Sequence, residues 1–151
     1  MTVINSPIGM IAIHFEGGSV SNIVLFSAEE VSEFATLSIL EQTVSRQILA
    51  YFKQADNHWS IKLIEQGTAF QRKVWHYLQN IPLGETRCYA DVAQALASSP
   101  RAVANACRAN PFPIVIPCHR VVSKSGIGGF AGKTKGKEVI AKQWLLDHEQ
   151  R

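Results

Sequence analysis

Residues 86–109 constrain this chain more than any other stretch. Thr86-Arg87-Cys88-Tyr89-Ala90-Asp91-Val92-Ala93-Gln94-Ala95-Leu96 predicts a short amphipathic helix that Ala97-Ser98-Ser99-Pro100 stops. A second helix is predicted at once, over Arg101-Ala102-Val103-Ala104-Asn105-Ala106-Cys107-Arg108-Ala109. Asn110-Pro111 ends it, because a residue before proline is driven out of the helical region. Two short helices joined by a tight turn outline a helix-turn-helix, whose second helix enters a DNA groove. Small side chains such as Ala102 let that helix approach another surface closely, leaving Arg101, Asn105 and Arg108 to reach out. The plainer alternative is that alanine simply forms helix well and packs against the neighbouring helix.

The flanking segments predict a mixed fold, α/β in content and α+β in arrangement. Met10–Phe15 and Ser19–Phe26 flank Glu16-Gly17-Gly18 and predict an antiparallel hairpin, since glycine supplies the positive φ of a tight turn. Ser27-Ala28-Glu29-Glu30 is expected as a capping box, with Leu40, Val44, Ile48, Leu49 and Phe52 at helical spacing through Gln54. Lys62–Gly67 is expected as a short strand and connection, which places a boundary near Gln66. The expectation is a small structural α/β lobe over 1–66 and a mostly helical domain over 67–151. Thr68-Ala69-Phe70-Gln71 is a second capping box, opening a helix with Phe70, Val74, Trp75 and Leu78 on one face until Ile81-Pro82-Leu83-Gly84. Trp75 is expected in the core. A last helix, Lys137 through Glu149, carries Val139, Ile140, Trp144, Leu145 and Leu146 as an apolar stripe. Lys133, Lys135, Lys137 and Lys142 are expected on a solvated basic face.

Ile116-Pro117-Cys118-His119-Arg120-Val121-Val122 sets a thiol and an imidazole side by side between apolar stretches. Only the thiolate is a strong nucleophile, and a nearby base is the usual means of forming it at neutral pH. Proline ahead of the cysteine stiffens its entry. Alone the pair is ambiguous, because free cysteine more often packs than reacts. Three widely spaced cysteines, Cys88, Cys107 and Cys118, with no C-x-x-C, favour neither a disulfide framework nor a zinc site, and the histidines form no i, i+4 pair. Reduced thiols, no span-length apolar run and no signal-like start suggest a cytoplasmic protein without a membrane partner. Charge is uneven: residues 1–66 carry three basic and seven acidic side chains, residues 67–151 twelve and five. That suits a polyanion partner for the second part, or simply a soluble basic surface. Ser123–Gly132 is a glycine-rich loop where backbone can approach a ligand, without phosphate-loop spacing.

Taken together, residues 67–149 resemble the O6-alkylguanine-DNA alkyltransferase family. The resemblance is carried by Phe70-Gln71-x-x-Val74-Trp75, Ile81-Pro82-x-Gly84-x-Thr86, Tyr89, Arg101-Ala102-Val103, Asn110-Pro111, Pro117-Cys118-His119-Arg120 and Trp144-Leu145-Leu146-x-His148-Glu149. It implies direct, stoichiometric transfer of an alkyl group from O6-alkylguanine in double-stranded DNA, or from O4-alkylthymine, to Cys118 after the base is flipped from the minor groove. It also implies that His119 draws the thiol proton through a water, that Glu149 orients the imidazole, that Tyr89 donates to the purine and that Asn110 braces the turn. Arg101, at the start of the second helix, would fill the vacated place in the duplex, with Ala102, Asn105, Arg108 and Arg120 also at the DNA. Val121 and the cysteine carbonyl would accept from the base, and Phe130 and backbone near Ala131 would line its oxygen. No cofactor, metal or obligate protein partner is implied, and a monomer is expected. Two departures are that many members have tyrosine and serine at Phe130 and Ala131, and that the turn before Arg101 is shorter than in several relatives. A DNA-binding protein that senses lesions without repairing them, and a Cys-His hydrolase, are the competing readings. Intact Cys118 argues against the sensor, and no recognisable oxyanion arrangement supports the hydrolase.

Overall fold

Gly17 takes φ +60, and Glu16 pairs with Ser19 across Gly17-Gly18, so the predicted hairpin forms. Its strands are β2 (Gly9–Glu16) and β3 (Ser19–Leu25), and β1 (Thr2–Ser6) adds antiparallel to β2 to make a three-stranded meander. In this computed structural model residues 1–56 and 58–151 are described, and the chain divides into two compact units, Met1–Glu65 and Gln66–Arg151.

In the first unit helix α1 (Ile39–Lys53) lays Val44, Ile48, Tyr51 and Phe52 inward, while the sheet contributes Val3, Ile11, Ile13 and Val20 to the buried set. The capping box expected at Ser27 is not one. Ser27 Oγ accepts from Glu29 N, two residues on, which makes a local turn instead of a helix start. Ser32 then ties to Val3, donating its N–H to the Val3 carbonyl at 2.9 Å and accepting from Val3 N on its side-chain Oγ at 2.9 Å, which pulls the chain out of helical reach. The working box lies eleven residues further on, where Ser38 and Glu41 exchange backbone-to-side-chain bonds of 3.2 Å each. Leu40, expected inside, is 37% exposed. The expected strand at Lys62–Gly67 reduces to a single parallel bridge of Leu63 with Val20.

In the second unit α2 (Ala69–Gln79) begins on the predicted box, Thr68 with Gln71. Trp75 is buried and its indole N–H donates to the Ala106 carbonyl at 2.8 Å. Gly67, at φ +93, leaves room for that indole: a Cβ there would stand 2.6 Å from it. The next helix is shorter than predicted. Arg87–Cys88 extends as β4, parallel to β5 (Val121–Val122), and α3 spans Tyr89–Ala95, with Asp91 closing a box at its start. Sheet pairing outweighs helix propensity at 86–88 because it ties this segment to the strand that follows the thiol. Helix α4 spans Pro100–Arg108, capped by Ser99, so Arg101 is its second residue and not its first. Val103 and Ala106 of α4 are buried, whereas Arg101, Asn105 and Arg108 are exposed, one turn apart along one face. Helix α5 (Lys137–Glu149) buries Ala141, Lys142, Leu145, His148 and Glu149. Its face is therefore rotated from the expected stripe: Ile140 is 71% exposed, and Lys142, expected in solvent, is 0% exposed.

Candidate active site

Cys118, His119 and Arg120 form one 3-10 turn between Pro117 and β5, not the extended strand that their flanking valines suggest. The turn is held from below by Asn110. Its Nδ2 donates to the Ile116 carbonyl at 2.9 Å and its Oδ1 accepts from Phe112 N at 2.9 Å. Between those anchors Ile114, 2% exposed, takes φ +77, a left-handed conformation that costs a β-branched residue about 1–3 kcal/mol.

Within the turn the residues after the thiol point at α5. His119 Nε2–H donates to Glu149 Oε2 at 2.8 Å, which fixes the tautomer and leaves Nδ1, buried with no protein partner, as the free lone pair. Burial holds His119 below the usual imidazole range, and Glu149 partly offsets it, so the ring rests neutral. Arg120 grips the same carboxylate in a fork, Nε to Oε1 at 2.8 Å and Nη2 to Oε2 at 3.0 Å, with Nη1 donating to the Ile81 carbonyl at 2.9 Å. Arg120 is 2% exposed. This corrects the expectation that it meets DNA: its donors are committed inside, where the guanidinium neutralises Glu149 and holds the imidazole in place.

Cys118, Tyr89 and Phe130 line a cavity of about 300 Å3 with Cys107, Arg108 and the glycine-rich loop. Burial pushes the Cys118 thiol above its ordinary range, and the side-chain amide of Asn110 and the charge of Lys142 only partly offset it. Tyr89 is pushed up to about 12 by burial and by the two thiols nearby, so its hydroxyl stays a donor. Gly128, at φ +75, lets the loop cross the Tyr89 ring: a Cβ there would lie 3.2 Å from it. Ala131 takes φ +50 at the mouth, and Gly132 packs beside Arg108.

The expected site residues fall into two groups. Cys118, His119, Glu149, Asn110, Tyr89, Val121, Phe130 and Ala131 gather around the cavity and its floor. Arg101, Ala102 and Asn105 lie on α4, with Arg108 linking that face to the cavity rim. The Val121 carbonyl already accepts from Lys142 Nζ at 2.6 Å. That lysine was missed by the sequence reading, as was Cys107 in the cavity lining: one lysine among four looks solvated, and only its i−3 and i+3 neighbours, Val139 and Leu145, hint at burial. Among the described residues no cluster of His, Cys, Asp and Glu could hold a metal, and no helix is long and apolar enough to cross a membrane.

A thiol at the floor of a pocket, a carboxylate-fixed imidazole beside it and a helix-turn-helix at the rim define an alkyl-accepting, DNA-directed class of protein. Residues 69–151 match the family model described as 6-O-methylguanine DNA methyltransferase, DNA binding domain. The probable methylated-DNA–protein-cysteine methyltransferase of Acanthamoeba polyphaga mimivirus is 50% identical over 105 residues, covering 67% of this chain and 66% of that protein. The constitutive methylated-DNA–protein-cysteine methyltransferase of Bacillus subtilis is 36% identical over 161 residues, covering 99% and 98%. The solved Mycobacterium tuberculosis O6-methylguanine methyltransferase superposes with a TM-score of 0.80 at 31% identity, covering 99% of this chain and 91% of that one. The chain belongs to the methylated-DNA–protein-cysteine methyltransferase family.

Proposed function

We propose that the protein repairs DNA directly, moving the alkyl group of O6-alkylguanine in a duplex to Sγ of Cys118, once per molecule. The observation that carries this reading is the shared cavity: the family's cysteine sits at its floor, beside a neutral His119 whose Nε2–H is bound by Glu149 and whose Nδ1 is free. In the step the Sγ–H bond breaks and the proton passes through a water to Nδ1. The sulfur electron pair forms the S–C bond, the C–O6 bond breaks and its electrons stay on the purine. The imidazolium then gives its proton up and the ring nitrogen of the released guanine takes one, through Tyr89 and water, so the protons balance and no cofactor is consumed. Tyr89, held protonated, donates to the purine and lowers the cost of its negative charge. Glu149 stabilises the imidazolium and is itself neutralised by Arg120.

Reaching a stacked base requires extrusion, at a cost of a few kcal/mol that is smaller for a badly paired one. The exposed row Arg101, Asn105 and Arg108 suits a groove contact, with Arg101 as the side chain that fills the gap and Ala102 allowing close approach. Phe130 and the backbone of Ala131 line the base, and Val121 offers its remaining carbonyl lone pair. Residues 67–151 thus carry DNA binding and the acceptor, and residues 1–66 support them. The protein acts as a monomer in the cytoplasm. Intact-protein mass measurement after mixing with an oligonucleotide bearing O6-methylguanine tests the reading. One methyl per protein at Cys118, absent from Cys118→Ala, is expected; repeated turnover or label at Cys88 or Cys107 would overturn it.

A further inference from the structure

Lys142 is a buried charge in the second unit that the roles given so far do not explain. Its side chain is 0% exposed, and among the described residues it has no carboxylate partner. Its Nζ donates instead to two carbonyls, Val121 at 2.6 Å in the strand after the thiol and Gly129 at 2.9 Å in the glycine-rich loop that lines the cavity. It also stands 5.7 Å from the centroid of the Tyr89 ring. A buried ammonium without an anion is strongly unfavourable unless a nearby group can become one.

Two groups around it can. The ionisable neighbours are Tyr89 of α3, Cys107 of α4, and Cys118 and His119 of the turn, with Arg108 and Lys133 at the cavity rim. His119 is neutral or cationic, and Tyr89 is held protonated. Cys107 is pushed far up by burial, with Cys118 adding to the shift, so it is the harder thiol to ionise. Cys118 alone is also favoured as an anion by the side-chain amide of Asn110, which anchors its turn through the Ile116 carbonyl.

We propose that Lys142 is the counter-ion of the reacting sulfur, a positioning residue that ties the nucleophile turn to the pocket loop and holds a positive charge toward Cys118 as its proton leaves. This rests on the alkyl-transfer reading and deepens it. Lys142 stays protonated through the step, and the proton goes to His119 as described, so nothing further is consumed. Burial brings Lys142 down to about 8, and the thiolate opposes that fall, as expected for two groups that ionise as a pair. When the sulfur gains its alkyl group it loses its charge for good, and the ammonium is left uncompensated.

The test uses the whole protein with Lys142→Gln, which keeps a two-donor head without charge, and Lys142→Met, which keeps neither. Single-turnover transfer from free O6-benzylguanine is followed between pH 6 and 10. Carbamidomethylation of Cys118 by iodoacetamide, assigned by peptide mapping, is followed over the same range and reads thiol ionisation without any purine. Both variants are expected to move the inflection up by about one pH unit or more, slowing reaction near pH 7 about tenfold, with most of the rate regained near pH 9.5. If the glutamine variant restores the wild-type inflection, or if rates fall equally at every pH, Lys142 is only a strut and the proposal fails. Should the methionine variant not fold, the glutamine variant carries the test. If wild-type protein takes no benzyl group, the transfer reading fails by itself, and the iodoacetamide profile still decides the counter-ion.

Discussion

Replacing Glu149 by glutamine should separate what the buried carboxylate does for the fold from what it does for the thiol. Glutamine keeps the shape and can still accept one bond, but it leaves the Arg120 guanidinium, 2% exposed, without a neutralising charge. Breaking one side of a buried pair costs about 3–5 kcal/mol. For a chain of this size each kcal/mol lowers the melting temperature by about 2–4 °C, so a loss of roughly 6–20 °C is expected. The imidazole also loses the negative charge that stabilises its protonated form, which should slow methyl transfer by about 100-fold or more. The double variant Arg120→Met/Glu149→Leu removes both charges and should recover most of the stability while remaining slow. Thermal unfolding and quenched single-turnover transfer from an O6-methylguanine oligonucleotide read the two quantities. A double variant that transfers within about threefold of wild type, or a Glu149→Gln protein that melts with the wild type, would refute the division of labour.

Three further outcomes follow from the geometry. Asn110→Ala removes the side-chain amide that favours the Cys118 anion and anchors its turn, so the pH–rate profile for O6-benzylguanine should move to higher pH; an unmoved inflection counts against it. Arg101→Ala should impair repair of duplex substrate more than reaction with the free base, and equal losses would remove it from the groove. His119 is held below its ordinary range, so the unfolded chain binds its proton first as pH falls. Stability should therefore decline with acid from about pH 6.5 downward, and denaturant titrations should show that slope flattened in His119→Gln.

The chemical centre was legible because its signals are local. Pro117-Cys118-His119-Arg120 names a nucleophile and its base in four residues, and Thr68-x-x-Gln71 announces a helix by a bond pattern that needs no tertiary help. What escaped was decided at long range. The pairing of Arg87–Cys88 with Val121–Val122 joins segments more than thirty residues apart and shortens a helix that propensity alone would extend. Arg120 looks like a phosphate ligand until Glu149, 29 residues on, is seen to hold it. Ser27 shows a different failure: two serine boxes compete within twelve residues, and the bond between Ser32 and Val3 decides for the later one.

Ile114 gives the segment ahead of the sulfur the character of a cocked latch. Its left-handed backbone is held by Asn110, which clamps both flanks through Phe112 and Ile116, and by the Ile116 N–H donating to the Phe112 carbonyl at 2.8 Å. Any event that loosens the clamp releases conformational energy in the same direction, unwinding the peptide toward an ordinary extended form and carrying the sulfur's platform with it. A molecule spent by one reaction thus carries a built-in tension next to the very atom that reaction alters.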